Sequence, residues 1–143
     1  MTKFETEIAE HLIDAFRNTD YEVHTNPPFT LKVGEFCLDL ENLFRESNLS
    51  TGCFITACNP ESTKLSKKQN VLLQEALHSD LVGQNLHIFK GLGSDPSGEW
   101  EGEPSFLAVG ISFYHAKSLG IKYKQNAIIW CDNRCTPELI VLR

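Results

Sequence analysis

The chain is short of basic charge: 13 Lys and Arg stand against 19 Asp and Glu, a formal net charge of −6. A general nucleic-acid binder needs a basic face to displace phosphate counterions, so that balance argues against one. Lys64, Lys67, Lys68, Lys117, Lys122 and Lys124 are scattered and read as solvated surface, with a local basic patch the alternative. Long apolar runs are also missing. Nothing approaches the roughly 20 residues that cross a bilayer, and no membrane partner is expected. Met1 to Glu7 is acidic and amphipathic, unlike a secretory leader. The five cysteines (Cys37, Cys53, Cys58, Cys131, Cys135) include no CxxC pair, and the five histidines form no HxxxH pair. With no zinc-type spacing, no metal and no cofactor are implied. The odd count of thiols, several within apolar runs, points to a reduced, cytoplasmic setting. No repeat, linker or low-complexity stretch appears. At 143 residues, 41% hydrophobic and 22% charged, a single globular domain spanning 1–143 is expected.

The pattern that is present alternates short elements. Phe4, Ile8, Leu12, Ala15 and Phe16 predict a helix from about Lys3 to Arg17. Strands are predicted at 21–25 and 29–33, then a short helix around Leu38, Leu40, Leu43 and Phe44. Cys53 to Ala57 reads as a buried strand ending at Asn59-Pro60. Ser66 and Gln69 have capping-box spacing, opening a helix with an apolar face of Val71, Leu72, Ala76, Leu77 and Leu81 and a stop at Gly83. Strands follow at 86–89 and 105–111. Ser112 caps a helix carrying Tyr114, Ala116 and Leu119, and strands at 127–131 and 139–142 close the chain. The order α-β-β-α-β-α-β-β-α-β-β predicts an α+β domain (mixed α/β the alternative): one mixed, mainly antiparallel sheet with about four helices packed on it.

Three polar segments lie where apolar runs meet turn formers: ITACNP (55–60), GLGSDPSGEWEGEPSF (91–106) and KQNAIIW (124–130). Thr56 and Asn59 place a hydroxyl and an amide at a strand end, a common location for ligands; Asn-Pro also simply starts turns. Gly91 to Gly98 lacks the Lys-Ser/Thr ending of a phosphate loop and leads to a strand, not a helix. Asp95-Pro96-Ser97-Gly98 fits a type I turn. Glu103 is the one candidate acid or base, since burial at a strand start would raise its pKa; Glu99 and Glu101 read as exposed turn residues. Gln125 and Asn126 offer paired donors and acceptors that suit an amide, a base or a sugar, or else tie loops together. Cys58 lacks an identified base and is read as inert.

At these segments the chain resembles a bacterial domain-of-unknown-function family, number 3293. The likeness rests on Ile55 through Pro60, Ser66, Asn70, Gly91 through Pro96, Trp100, Glu103, Ser105 through Leu107, Ala116 and Gln125 through Ala127, and spans roughly 21–130. In that family the position of Cys58 is often aromatic, which argues against a shared nucleophile there. The resemblance implies a compact stand-alone domain and brings no activity, substrate or cofactor.

Three readings of function follow. In the first, Thr56, Asn59, Asp95, Trp100, Glu103, Gln125 and Asn126 line one pocket for a small nucleotide-like or amide-bearing ligand. In the second, the acidic segment 99–103, anchored by Trp100, docks a basic protein partner without catalysis. In the third, the segments are hydrogen-bonded loop ties. The pocket reading expects Asn59→Ala and Glu103→Gln to leave stability unchanged or higher. The loop-tie reading expects each to cost about 1–3 kcal/mol.

Overall fold

The computed structural model describes residues 6–143. Its elements are α1 (Glu10–Asn18), β1 (Asp20–Val23), β2 (Phe29–Leu31), α2 (Leu38–Ser47), β3 (Gly52–Ile55), a 3-10 turn (Pro60–Ser62), α3 (Lys67–Val82), β4 (His87–Ser94), β5 (Glu103–Val109), α4 (Phe113–Lys122), β6 (Ala127–Cys131) and β7 (Glu138–Val141). All seven strands join one sheet in the order β2-β1-β4-β5-β3-β6-β7. Every neighbouring pair is antiparallel, so the α+β class stands and the sheet is not mixed. α1 leads into β1 yet also contacts β7 at the far end of that order, so the sheet curls.

Both faces of the sheet are covered, which explains why its central strands read as unbroken apolar runs. Cys53, Ile55, Phe106, Ala108, Ile128 and Trp130 face α3 and α4, where Leu77, Leu81, Ala116 and Leu119 meet them. Their neighbours Phe54, Leu107, Val109, Ile129 and Cys131 point the other way, onto Leu40 and Phe44 of α2. A fully buried Leu such as Leu40, Leu77 or Leu107 contributes on the order of 1.5–3 kcal/mol through area removed from water.

Four expectations need correction. α1 starts at Glu10, later than read from the apolar spacing. Thr6 Oγ1 accepts from Ile8 N, and Glu7 N donates to Arg143 O, so this stretch bonds elsewhere. Lys3 and Phe4, part of that reading, lie outside the described residues. β3 ends at Ile55 because the next N–H groups leave the ladder: Ala57 N donates to the Gln74 side chain. The buried side of α3 is Gln74, Leu77 and Leu81, whereas Val71 and Leu72 are 47% and 59% exposed. Once Leu77 and Leu81 define the inward face, residues three and four before Leu77 share it and those five and six before do not. Tyr114, 82% exposed, is turned out by the same logic, since Ala116 and Leu119 fix the inner face of α4.

β4 runs on through the glycine-rich segment to Ser94. Gly91 there has a packing role: a Cβ would sit 2.5 Å from the Glu22 carbonyl and 2.7 Å from the Phe54 ring. The caps match their sequence signals. Ser66 and Gln69 form the reciprocal box, and Ser112 Oγ accepts from His115 N.

Candidate functional site

β5 opens on Glu103, paired across from Gly93, with Pro104 opposite Leu92. β3 has already ended on the other side, at Ile55 opposite Phe106. Pro104 therefore sits where its missing N–H breaks no ladder. Its carbonyl accepts from Thr56 Oγ1 at 2.8 Å, and Thr56 Oγ1 in turn accepts from Cys58 N at 3.0 Å. These bonds turn the chain after β3 toward the start of β5.

Asn59 is the hub of that turn. Its Nδ2 donates to Glu103 Oε2 at 2.6 Å, while its Oδ1 accepts from Leu65 N and Asn70 Nδ2, each at 2.9 Å. Asn59 N donates to Asn70 Oδ1 at 2.9 Å. Its φ of 48° lies in the left-handed region, which Asn tolerates better than most residues. Glu61 and Ser62 share that region at 56° and 59°, as does Lys124 at 54°. Glu61 N donates to Lys124 O at 2.7 Å and Ser62 N to Asn59 O at 2.9 Å, bonds that hold this uncommon backbone in place.

The third segment joins through amides. Gln125 Nε2 donates to Cys58 O at 3.0 Å and Tyr123 O at 3.3 Å. Asn126 Nδ2 donates to Ser62 Oγ at 2.8 Å, and its Oδ1 accepts from Arg143 Nη1 at 3.2 Å. Thr56, Asn59, Glu103, Gln125 and Asn126 thus belong to one run of polar contacts along the ends of β3, β5 and β6. Asp95 and Trp100 are placed apart from it. Asp95 caps its own turn, accepting from Ser97 N, Ser97 Oγ and Glu99 N. Those bonds hold its carboxyl below the usual range. Gly98 N completes the turn on Asp95 O. Trp100 is 37% exposed in the loop between β4 and β5.

Gln74 joins the cluster although no turn or motif in the sequence marks it. It is buried on α3, and its Oε1 accepts from Ala57 N at 2.7 Å and Thr56 Oγ1 at 3.3 Å. The available signal was its position three residues before Leu77, on the inward face of the helix.

Glu103 is half-buried, and burial pushes its carboxyl above the ordinary value of 4.5, partly offset by the Asn59 bond. Its second oxygen, Oε1, receives no hydrogen bond from a described residue, yet no buried side-chain polar atom among them lacks a partner. Oε1 therefore reaches the surface as an open acceptor. Cys58 is buried and its thiol is pushed up by burial, with the Glu103 charge adding to the rise. Its Sγ lies 3.7 Å from Pro104 O, and no histidine among the described residues bonds it, so it is an unactivated thiol. Among the described residues, no group of three or more His, Cys, Asp or Glu could hold a metal, and no helix is long and apolar enough to cross a membrane.

An antiparallel α+β sheet with a tied polar cluster at three strand ends is the class of protein this geometry defines. The family model described as Protein of unknown function (DUF3293) matches residues 55–128, more than half of the chain, and the chain belongs to that family. The match begins at the end of β3 and stops just inside β6, enclosing Thr56 through Asn126. No curated protein and no solved structure matches the chain.

Proposed function

We propose that this is a cytoplasmic bacterial domain that binds a small, planar, amide- or base-bearing ligand at the strand-end cluster, with Glu103 as the central acceptor. The supporting observation is the state of that carboxylate. One oxygen is fixed by Asn59, the other is open, and burial disfavours the charge. A ligand N–H meeting Oε1 gains from this, because a charged acceptor in a partly dry setting makes a strong hydrogen bond. Thr56, Asn59, Gln125 and Asn126 fix the framework, since their donors are engaged with Pro104 O, Glu103 Oε2, Cys58 O and Ser62 Oγ in turn. Trp100 and Asp95 lie on the loop that leads into Glu103, apart from the cluster; Asp95 caps its own turn, and the part-exposed Trp100 offers a flat apolar face for a ligand ring. Glu103 is the one group placed to exchange a proton with a ligand, should the domain carry out chemistry.

A thermal-shift screen with nicotinamide, nucleosides, sugars and amino acids tests this reading. A raised melting temperature with an amide or base probe, lost in Glu103→Ala, supports it. A flat response across all four classes counts against it.

A second reading has one observation in its favour. Glu99, Trp100 and Glu101 are contiguous and exposed at the loop tip, as a surface that docks a basic protein segment would be. In that case Trp100→Ala removes partner capture while the fold persists.

A further inference from the structure

A second feature lies at the β6 end of the polar run, lacks Glu103 itself and shares Gln125 with the site above. Glu61, Ile121, Lys124, Gln125, Leu142 and Arg143 line a hollow of about 150 Å³. Organic-ligand pockets usually measure roughly 300–1,000 Å³, so this one suits a much smaller molecule, equivalent to roughly five waters.

The lining has a definite chemical character. Gln125 is only 8% exposed, and both its amide N–H contacts go to carbonyl oxygens, of Cys58 and Tyr123. Two carbonyl acceptors on one end of the amide fix which end is nitrogen. Gln125 Oε1 accepts nothing from a described residue, and no side-chain polar atom among the described residues is buried without a partner, so this oxygen is not sealed from solvent, on a residue that lines the hollow. Lys124 has no carboxylate partner among the described residues. Arg143 also lines the hollow and is already engaged: its Nη1 lies 3.5 Å from Glu61 Oε1 and donates to Asn126 Oδ1 at 3.2 Å, and its Nη2 lies 3.2 Å from Glu7 Oε2. Ile121 and Leu142 give an apolar wall.

The lining therefore combines an amide and a carboxylate, Gln125 and Glu61, with two cationic side chains, Lys124 and Arg143, of which Glu61 and Arg143 already pair at 3.5 Å. A simple anion placed there would face Glu61, and a simple cation would face Lys124 and Arg143. A compact molecule carrying both charges satisfies each side at once. We propose that this hollow binds a free α-amino acid, with its ammonium on Gln125 Oε1 and Glu61, its carboxylate on Lys124 and Arg143, and a small apolar side chain against Ile121 and Leu142. A peptide terminus, having only one of the two charged groups at a single residue, does not meet this requirement.

The test is an NMR titration of the full chain with L-valine and glycine, following the amide signals of Lys124 and Gln125 and the Arg143 side-chain N–H. Isobutylamine and isovalerate, which each keep one of valine's two charged groups, serve as controls. The expected result is a saturable shift with the amino acids, with both single-charge analogues binding about tenfold more weakly or worse. Lys124→Gln weakens amino-acid binding by about tenfold, whereas Lys117→Gln, an exposed lysine of α4 outside the hollow, leaves it unchanged. The proposal is overturned if neither amino acid gives a saturable response, if isovalerate alone binds as well as valine, or if Lys124→Gln has no effect.

Discussion

The side-chain amide of Asn59, just past β3, donates to the carboxylate of Glu103, the first residue of β5, across 2.6 Å. Two of the three segments singled out in the sequence meet in that bond. The same Asn59 also holds Leu65 and Asn70, so it is both a neighbour of the candidate site and a structural tie.

That double role predicts a cost for Asn59→Ala. The substitution leaves Leu65 N and Asn70 Nδ2 without their acceptor and puts Ala in a left-handed conformation. A loss of about 1–3 kcal/mol is expected from the stranded groups, read as a lower urea midpoint at unchanged slope. An unshifted midpoint would show that these bonds carry no net stability.

Glu103→Gln behaves differently. The Gln carbonyl still accepts from Asn59, and a charge disfavoured by burial is removed. The sign follows from linkage. With the folded pKa raised, the native state holds the proton more tightly than the unfolded chain, so this residue's contribution to stability falls as pH rises through and above the ordinary value of 4.5. The variant should be at least as stable as the wild type near neutrality and should lack that component of the decline. Urea midpoints across the acid-to-neutral range measure it; a wild-type profile that rises there relative to Glu103→Gln contradicts the assignment.

Gln74→Leu keeps the volume of an inward-facing side chain but strips the acceptor from the buried Ala57 N–H. We expect a loss of about 1–3 kcal/mol and faster hydrogen exchange at the Ala57 amide specifically. Unchanged exchange at Ala57 would mean the bond does not protect it.

Two glycines make an internal contrast. Gly91→Ala drives a Cβ into the Glu22 carbonyl and the Phe54 ring, whereas the same change at Gly83 meets nothing within 4 Å, at a φ of −71°. The first should cost about 1–3 kcal/mol or more through overpacking. The second should be neutral or gain up to about 1 kcal/mol by restricting the unfolded chain. Melting temperatures of the two variants check the pair, and equal shifts would contradict the close approach at Gly91.

Much of this architecture was legible because local signals were strong. Ser66 with Gln69, Ser112, and the Asp95–Gly98 turn announce their caps and turn through side-chain chemistry confined to a few residues. The order of elements followed from the alternation of apolar runs and breakers. Which face of α3 turns inward was less legible, because Val71 and Leu72 carry apolar side chains that remain exposed. The site residues were visible as polar groups next to turns, but their partners were not. Gln74 meets Thr56 and Ala57 across the chain, and Arg143 reaches Asn126 only through the pairing of β6 with β7. Such contacts depend on sheet order, where β3 lies between β5 and β6, and no local pattern encodes that order.

The most direct test follows the Glu103 side-chain carboxyl carbon and the Asn59 side-chain NH2 by NMR while nicotinamide is added. If the open oxygen of Glu103 receives a ligand N–H, both signals move together and saturate. A carboxyl signal that stays fixed while nicotinamide, nucleosides and other primary amides are raised to high concentration contradicts the proposed site.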